Sequence, residues 1–264
     1  MDVFFWRRTK IPVIMLSGLI AARAGSINIG AFTPVIDRGF AVAKKSGQLV
    51  LAIESPGGSA VQSDLIGQLI RRRAAEHKVK VTAVIGDVGA SGGYWLACAA
   101  DRIVASRLSI VGSIGVITGG FGLDKFLARY DIERRLFTAG ENKARLETFS
   151  PLRPQDAQFT QDLLAEAHTM FKNWVRERRG QRLTAAESDV FDGGYMLGEK
   201  AKTLGLVDEL GDLDSVITEL GGEKARAVYL KPKRTRNLLR LATGSAAEAV
   251  LDIAEQKLLT PTLR

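Results

Sequence analysis

Residues 86–104 read GDVGASGGYWLACAADRIV. One serine, Ser91, stands between Ala90 and the pair Gly92–Gly93, directly before an apolar run that includes Tyr94, Trp95, Leu96, Cys98 and Ala99. Little side-chain bulk surrounds its hydroxyl, and a strand-like run, VKVTAVIG over Val79–Gly86, precedes it. Strand, glycine-rich turn, serine and helix in that order present a nucleophile at a helix N-terminus, where free N–H groups can stabilise an anion. The same residues also fit an ordinary helix cap with glycines that allow close packing. This stretch alone leaves both readings open.

A serine nucleophile needs a base. The chain has two histidines, His77 and His168. His77 lies at a helix end between Glu76 and Lys78, and His168 lies mid-helix, so neither stands in a glycine-rich loop and a Ser–His–Asp triad is disfavoured. The remaining familiar base is a lysine whose amine has been made neutral by desolvation. Lys143, in TAGENKARLETFSP, stands in a loop without helical periodicity, whereas most other lysines have amphipathic surroundings. Spacing alone does not single it out.

Acyl transfer also needs N–H donors aimed at the developing oxyanion. SPGG at Ser55–Gly58 follows a second strand, and Gly57 or Gly58 can supply one donor while the Gly92 N–H supplies the other. An isolated SPGG is a plain β–α turn. Two such turns on consecutive strands of one sheet, however, open at the same carboxyl edge, where α/β ligand sites form. Glu54 and Asp87 are the acids near these turns.

The elements that must hold these residues alternate in period. A strand near Ile11–Leu16 leads to a helix expected to open at Thr33–Pro34. The strand Gln48–Ser55 is continuously apolar in its middle, as a buried parallel strand is, and a helix follows over about Val61–Glu76. After the Ser91 helix come a strand at Arg102–Ala105, a helix near Leu123–Arg129, a strand near Glu133–Phe137 and a long helix from Pro154 to about Arg179. LGEKAKTLGLVDELGDLDSVITEL reads as helix, short strand, helix. Repeated strand–helix units predict an α/β fold with a largely parallel sheet. The expected layout is an N-terminal arm (1–10), a catalytic domain (11–230) and a basic, mainly helical C-terminal tail (231–264).

Composition bounds the function class. The 264 residues are 46% hydrophobic and 25% charged, the balance of a globular protein. The formal charge of +8 suits an anionic partner, such as peripheral contact with an anionic membrane surface. Clusters at Arg71–Arg73 and Arg176–Arg179 read as solvated helix faces, and a third spans Lys231–Arg240. No nucleic-acid motif or aromatic interleaving accompanies them, which argues against nucleic-acid binding. The single cysteine, Cys98, excludes an intrachain disulfide and any multi-cysteine metal site, and reads as a buried small hydrophobe. The start of the chain imitates a signal peptide, but its apolar stretch Ile11–Ala22 is too short to span a bilayer and PVIMLSG reads better as a first core strand. No transmembrane helix is expected.

Taken in order, PVIMLSGLI, ESPGGS, DVGASGGYWLACAADRIVAS, VGSIGV, ENKARLETFSP and VFDGGYMLGEKAKTLGLVDELG resemble the signal peptide peptidase A (SppA) family of serine proteases, within the Clp protease/crotonase-like fold group. The pieces cover roughly residues 11–215. The resemblance implies a Ser–Lys dyad, with Ser91 as nucleophile and Lys143 as general base. It also implies oxyanion donors at Gly58, with Gly57 close behind, and at Gly92, and a Ser113 hydroxyl that orients the lysine amine. Asp87 matches an acidic position with a structural role. No metal or cofactor is implied. The implied substrates are leftover signal peptides or other small, unfolded polypeptides, and the implied assembly is a ring-like homo-oligomer whose neighbouring protomers can complete the site. The implied setting is bacterial, in the cytoplasm or at the membrane periphery. Gly194 departs from the family, which often has arginine there. The rival readings are a crotonase-like acyl-CoA enzyme, which uses carboxylate bases, and a non-catalytic assembly protein that keeps the fold.

Overall fold

The protein is described by a computed structural model over residues 9–184 and 186–232. Most of the expected N-terminal arm and nearly all of the expected helical tail, with the basic run up to Arg240, lie outside the described residues. The chain forms two compact units, one from residues up to Ile114 together with those from Trp174 onward, the other Gly115–Asn173.

The first unit is built on an eight-stranded sheet. Its strands are β1 (Lys10–Ser17), β2 (Gln48–Ser55), β3 (Lys80–Ala90), β4 (Arg102–Ala105), β5 (Ile110–Gly112), β6 (Tyr195–Leu197), β7 (Glu209–Leu210) and β8 (Arg226–Leu230). The order is β6-β5-β3-β2-β1-β8, with β4 joining β3 to β7 beside this path. Every pairing is parallel except β5 with β6. PVIMLSG forms a core strand, as expected: Ile11, Val13, Ile14 and Leu16 of β1 are fully buried, so both faces of the strand are covered.

Strand β3 is the branching element. Thr82–Ile85 pairs with β4 and Val88–Ala90 pairs with β5. At the fork the register to β2 jumps, from Ile53 opposite Ile85 to Ser55 opposite Gly89. Two extra residues of β3 are taken up there, which is a β-bulge.

Helices α1 (Ile29–Ala43), α2 (Ala60–His77) and α3 (Gly92–Cys98) follow β1, β2 and β3. Helix α1 opens before the expected Thr33–Pro34. Asn28 is its cap, accepting from the Ala31 N–H at 2.9 Å, and Gln62 of α2 accepts the Ile29 N–H at 2.8 Å. A tertiary contact thus satisfies the first turn, and Pro34 is carried inside the helix. The Trp95 ring of α3 stacks on Trp174 at 5.9 Å, and the Trp174 indole N–H donates to the Trp95 carbonyl.

The second unit holds α4 (Asp124–Arg129) and most of α5 (Pro154–Arg179), which spans the residues expected of it. The expected strand at Glu133–Phe137 does not form. The segment is irregular and exposed, and the unit contains no other strand among its described residues to complete a ladder.

Candidate active site

Ser91 sits at the carboxyl end of β3, where the strand breaks into α3. Its N–H donates to the Gly112 carbonyl at 2.8 Å and its carbonyl accepts the Trp95 N–H at 2.9 Å. The backbone is held at φ 51°, ψ −121°, a conformation that L-residues rarely adopt and that costs about 1–3 kcal/mol. At the N-cap position a serine hydroxyl ordinarily accepts from the first helical turn, yet Ser91 makes no such bond. The ordinary-cap reading therefore fails, and the half-buried hydroxyl remains uncommitted. Gly92, the next residue, begins α3, so its N–H belongs to the turn that lacks intrahelical acceptors.

The SPGG turn lies against this serine. A Cβ on Gly57 would fall 2.7 Å from the Gly92 nitrogen and 2.8 Å from the Ser91 Cβ, and φ there is +105°. Only glycine fits. The Gly57 N–H is already used, donating to Ser55 Oγ at 3.2 Å. Gly58 differs. Ile20 donates its N–H to the Gly57 carbonyl and accepts from the Ser59 N–H, a parallel bridge that flanks Gly58. In such a bridge the intervening residue directs its own N–H to the opposite side. Ser113, at φ 52°, follows β5 one position beyond the Ala90–Gly112 pair, so it sits beside Ser91 at the same sheet edge. Its N–H donates to the Gly194 carbonyl at 2.6 Å, which brings Gly194 next to this serine.

Helix α3 is also fixed at its far end. Arg71 donates to the Ala99 carbonyl, Arg178 to the Cys98 and Ala100 carbonyls, and Arg182 to the Asp101 carbonyl. These arginines satisfy the last carbonyl of the helix and those of the three residues after it, and place positive charge at the negative dipole end. The Arg176–Arg179 cluster is thus not a solvated face. Arg179 is fully buried and makes a two-pronged bond to Asp208 at 2.8 and 2.9 Å. Burial alone would raise the Asp208 carboxyl, but the Arg179 guanidinium holds it below the usual carboxylate range. Cys98 is buried as expected, which pushes its thiol up to about 12.

Glu54, at the end of β2, accepts from the backbone N–H groups of Asp87 and Val88, both at 3.0 Å. Burial raises its carboxyl, and these two bonds partly offset that. Asp87 takes part through its backbone, while its side chain is exposed. Ser109, which sequence reasoning missed, lies opposite. It is buried, with Oγ 3.2 Å from the Ile85 carbonyl and 2.5 Å from that of Gly86. No periodicity signal marks either role, because a bulge is a relation between strands.

Lys143 belongs to the second unit. It is exposed, in a turn closed by its own N–H donating to the Gly140 carbonyl at 3.2 Å. Its loop is anchored within that unit. Arg145 lies over the Phe159 ring at 3.8 Å and pairs with the buried Asp156, while Glu147 accepts from Phe149 N–H and Ser150 Oγ. A cavity of about 710 Å³ lies in the same unit, with Gly120, Phe121, Ala144, Leu146, Leu152 and Thr160 among its lining. No cluster of His, Cys, Asp or Glu among the described residues is arranged to hold a metal ion, and no described helix is long and apolar enough to cross a membrane.

A mostly parallel α/β sheet with a serine on a strained strand–helix turn, packed on a glycine turn, is the arrangement of a serine hydrolase. The chain belongs to peptidase family S49, whose model matches residues 73–226. It is 39% identical over 230 residues to a protein of Brucella melitensis named Na(+)/H(+) antiporter NhaA, covering 86% of this chain but 31% of that one. It is 30% identical over 213 residues to the probable protease SohB of Haemophilus influenzae, covering 80% of this chain and 59% of that one. The chain thus spans about a third of the first relative and under two thirds of the second. The solved 1510-N membrane-bound stomatin-specific protease in complex with a substrate peptide shares the fold, with TM-score 0.52 and 15% identity over 90% of this chain and 99% of that one.

Proposed function

We propose that this protein is a serine endopeptidase with a Ser91–Lys143 dyad, acting on signal-peptide remnants or other small, unfolded polypeptides. The observation that carries the reading is the uncapped Ser91 hydroxyl on a positive-φ turn, packed against Gly57 at the carboxyl edge of the sheet. Membership of peptidase family S49 gives that geometry its reaction class.

In this reading a neutral Lys143 amine takes the Ser91 proton as Oγ attacks the peptide carbonyl. The carbonyl oxygen becomes an oxyanion held by the N–H groups of Gly58 and Gly92. The direction of the Gly58 N–H favours it over Gly57, whose N–H is committed to Ser55. The Lys143 ammonium returns a proton to the leaving amine, and water then hydrolyses the acyl-enzyme. Ser113, whose hydroxyl has no hydrogen-bond partner among the described residues, is free to orient the amine.

A neutral lysine needs a dry setting, and Lys143 is exposed. Self-association would supply one. In support, the second unit exposes large apolar side chains, with Phe137 at 92% and Phe121 at 83%. The acyl-CoA reading requires a free carboxylate base, and of the two acids near the turns Glu54 is engaged by two backbone donors, which leaves that reading only the exposed Asp87. The test is peptidase activity and fluorophosphonate labelling of the purified protein. Ser91→Ala is expected to abolish both, and Lys143→Ala to abolish turnover, with each variant still folded. Full activity in either variant removes the dyad.

A further inference from the structure

The fork in β3 has an incomplete ladder that must be satisfied from elsewhere. Between Ile85 and Gly89 the chain leaves the register of β2, so the N–H groups of Asp87 and Val88 lose their strand acceptors. Glu54 replaces them with its two carboxylate oxygens, one to each N–H. On the other side, the carbonyls of Ile85 and Gly86 face the Ser109 hydroxyl. Each exposed polar edge of the bulge therefore has a dedicated side chain.

The consequence reaches Ser91. Below the fork, residues of β2 pair with residues 32 positions later, as Ile53 with Ile85; above it the offset is 34, as Ser55 with Gly89. The two added residues carry the end of β3 to the height at which Ser91 and Gly92 meet Gly57. The site even shows how the carboxylate enters. A Cβ on Gly86 would lie 2.1 Å from Glu54 Oε2, so only a glycine leaves room for it.

We infer that Glu54 is a positioning residue that clamps the β3 bulge and thereby sets the placement of the Ser91 nucleophile relative to the glycine turn, with Ser109 holding the opposite edge. The inference rests on the reading of Ser91 as nucleophile. It also assigns a role to the glutamate of the ESPGG segment that is distinct from acid–base chemistry. In this role Glu54 needs no contact with substrate. Its effect is transmitted through the backbone from Gly86 to Ser91.

Two variants of the 264-residue chain test it. Glu54→Gln keeps the size but turns an amide NH₂ toward a backbone N–H. Gly86→Ala leaves Glu54 in the sequence and displaces only the flexible end of its side chain, so it probes the same clamp if Glu54→Gln folds poorly. Active sites are titrated with a fluorophosphonate, and kcat and KM are measured per titrated site on one peptide. The expected result is a fall in kcat of about tenfold or more in both variants, with KM within about twofold, because misplacement of a reacting group by under 1 Å suffices for such a loss. Unchanged kcat per titrated site, or a loss confined to KM, overturns the inference. Ser91→Ala is run alongside. If it retains activity, the nucleophile reading has failed and this inference falls with it, whereas an inactive Ser91→Ala with unaffected clamp variants refutes the clamp alone.

Discussion

Gly57 lies so close to Ser91 that no side chain fits between them, a Cβ there falling 2.8 Å from the Ser91 Cβ. The contact joins two turns whose sequences lie on successive strands, and it makes the space around the hydroxyl part of the packing. Any atom added to Gly57 must move Ser91, the glycine turn, or both.

Gly57→Ala therefore tests whether that closeness is functional. The substitution adds strain at φ +105° as well as the clash. Activity is expected to fall by about 100-fold or more, the scale set by loss of an oxyanion donor or a misplaced reacting group. Measured kcat should drop far more than the folded fraction, read by thermal melting at the assay temperature.

Breaking the Arg179–Asp208 pair should destabilise the protein without touching the chemistry directly. Arg179→Ala leaves a carboxylate that is largely buried, and such a loss costs about 3–5 kcal/mol in urea unfolding. The pH dependence has a definite sign. Asp208 titrates lower in the folded state than in the unfolded chain, so its contribution is present above the ordinary carboxylate value and is lost as pH falls through the depressed folded value. Asp208→Asn should lack that acid-side loss of stability.

Cys98 should be inert in the native protein. It is buried at the end of α3 and its thiol is pushed up to about 12, so the reactive thiolate is scarce at neutral pH. Iodoacetamide at pH 8 is expected to leave it unmodified until denaturant is added. Rapid alkylation of the folded chain would show that α3 opens.

The loop of Lys143 should depend on Arg145. Removing the guanidinium from the Phe159 ring and from Asp156 takes away a contact of about 1 kcal/mol. Arg145→Ala is expected to speed amide exchange across residues 140–150 by roughly three- to tenfold. Peptidase activity should fall with it while the sheet's exchange is unchanged.

The sheet was legible because its strands carry their own signature. The limits of β2 and β4 coincide with those read from their apolar runs, and the limits of α5 coincide with those read from its spacing and leading proline. The misreadings share one cause. Thr33–Pro34 has the local chemistry of a helix start, but Asn28 and Gln62 supplied better partners. Glu133–Phe137 has strand-like composition but no ladder to join. The arginines at 71, 178 and 179 have the charge of a solvent face, yet the free carbonyls at the end of α3 draw two of them inward and Asp208 holds the third.

The linear chain was sufficient to mark a serine in a glycine-framed turn, to disfavour a histidine-based triad and to announce alternating strands and helices, since those depend on residue types and short-range periods. It said nothing of the β3 bulge, of Glu54 and Ser109 on its two edges, or of which glycine keeps an unspent N–H. Those are properties of hydrogen bonds between segments 23 to 39 residues apart, and they came into being when the strands settled into register. A backbone donor has no identity in the one-letter code, and its partner is chosen by the fold.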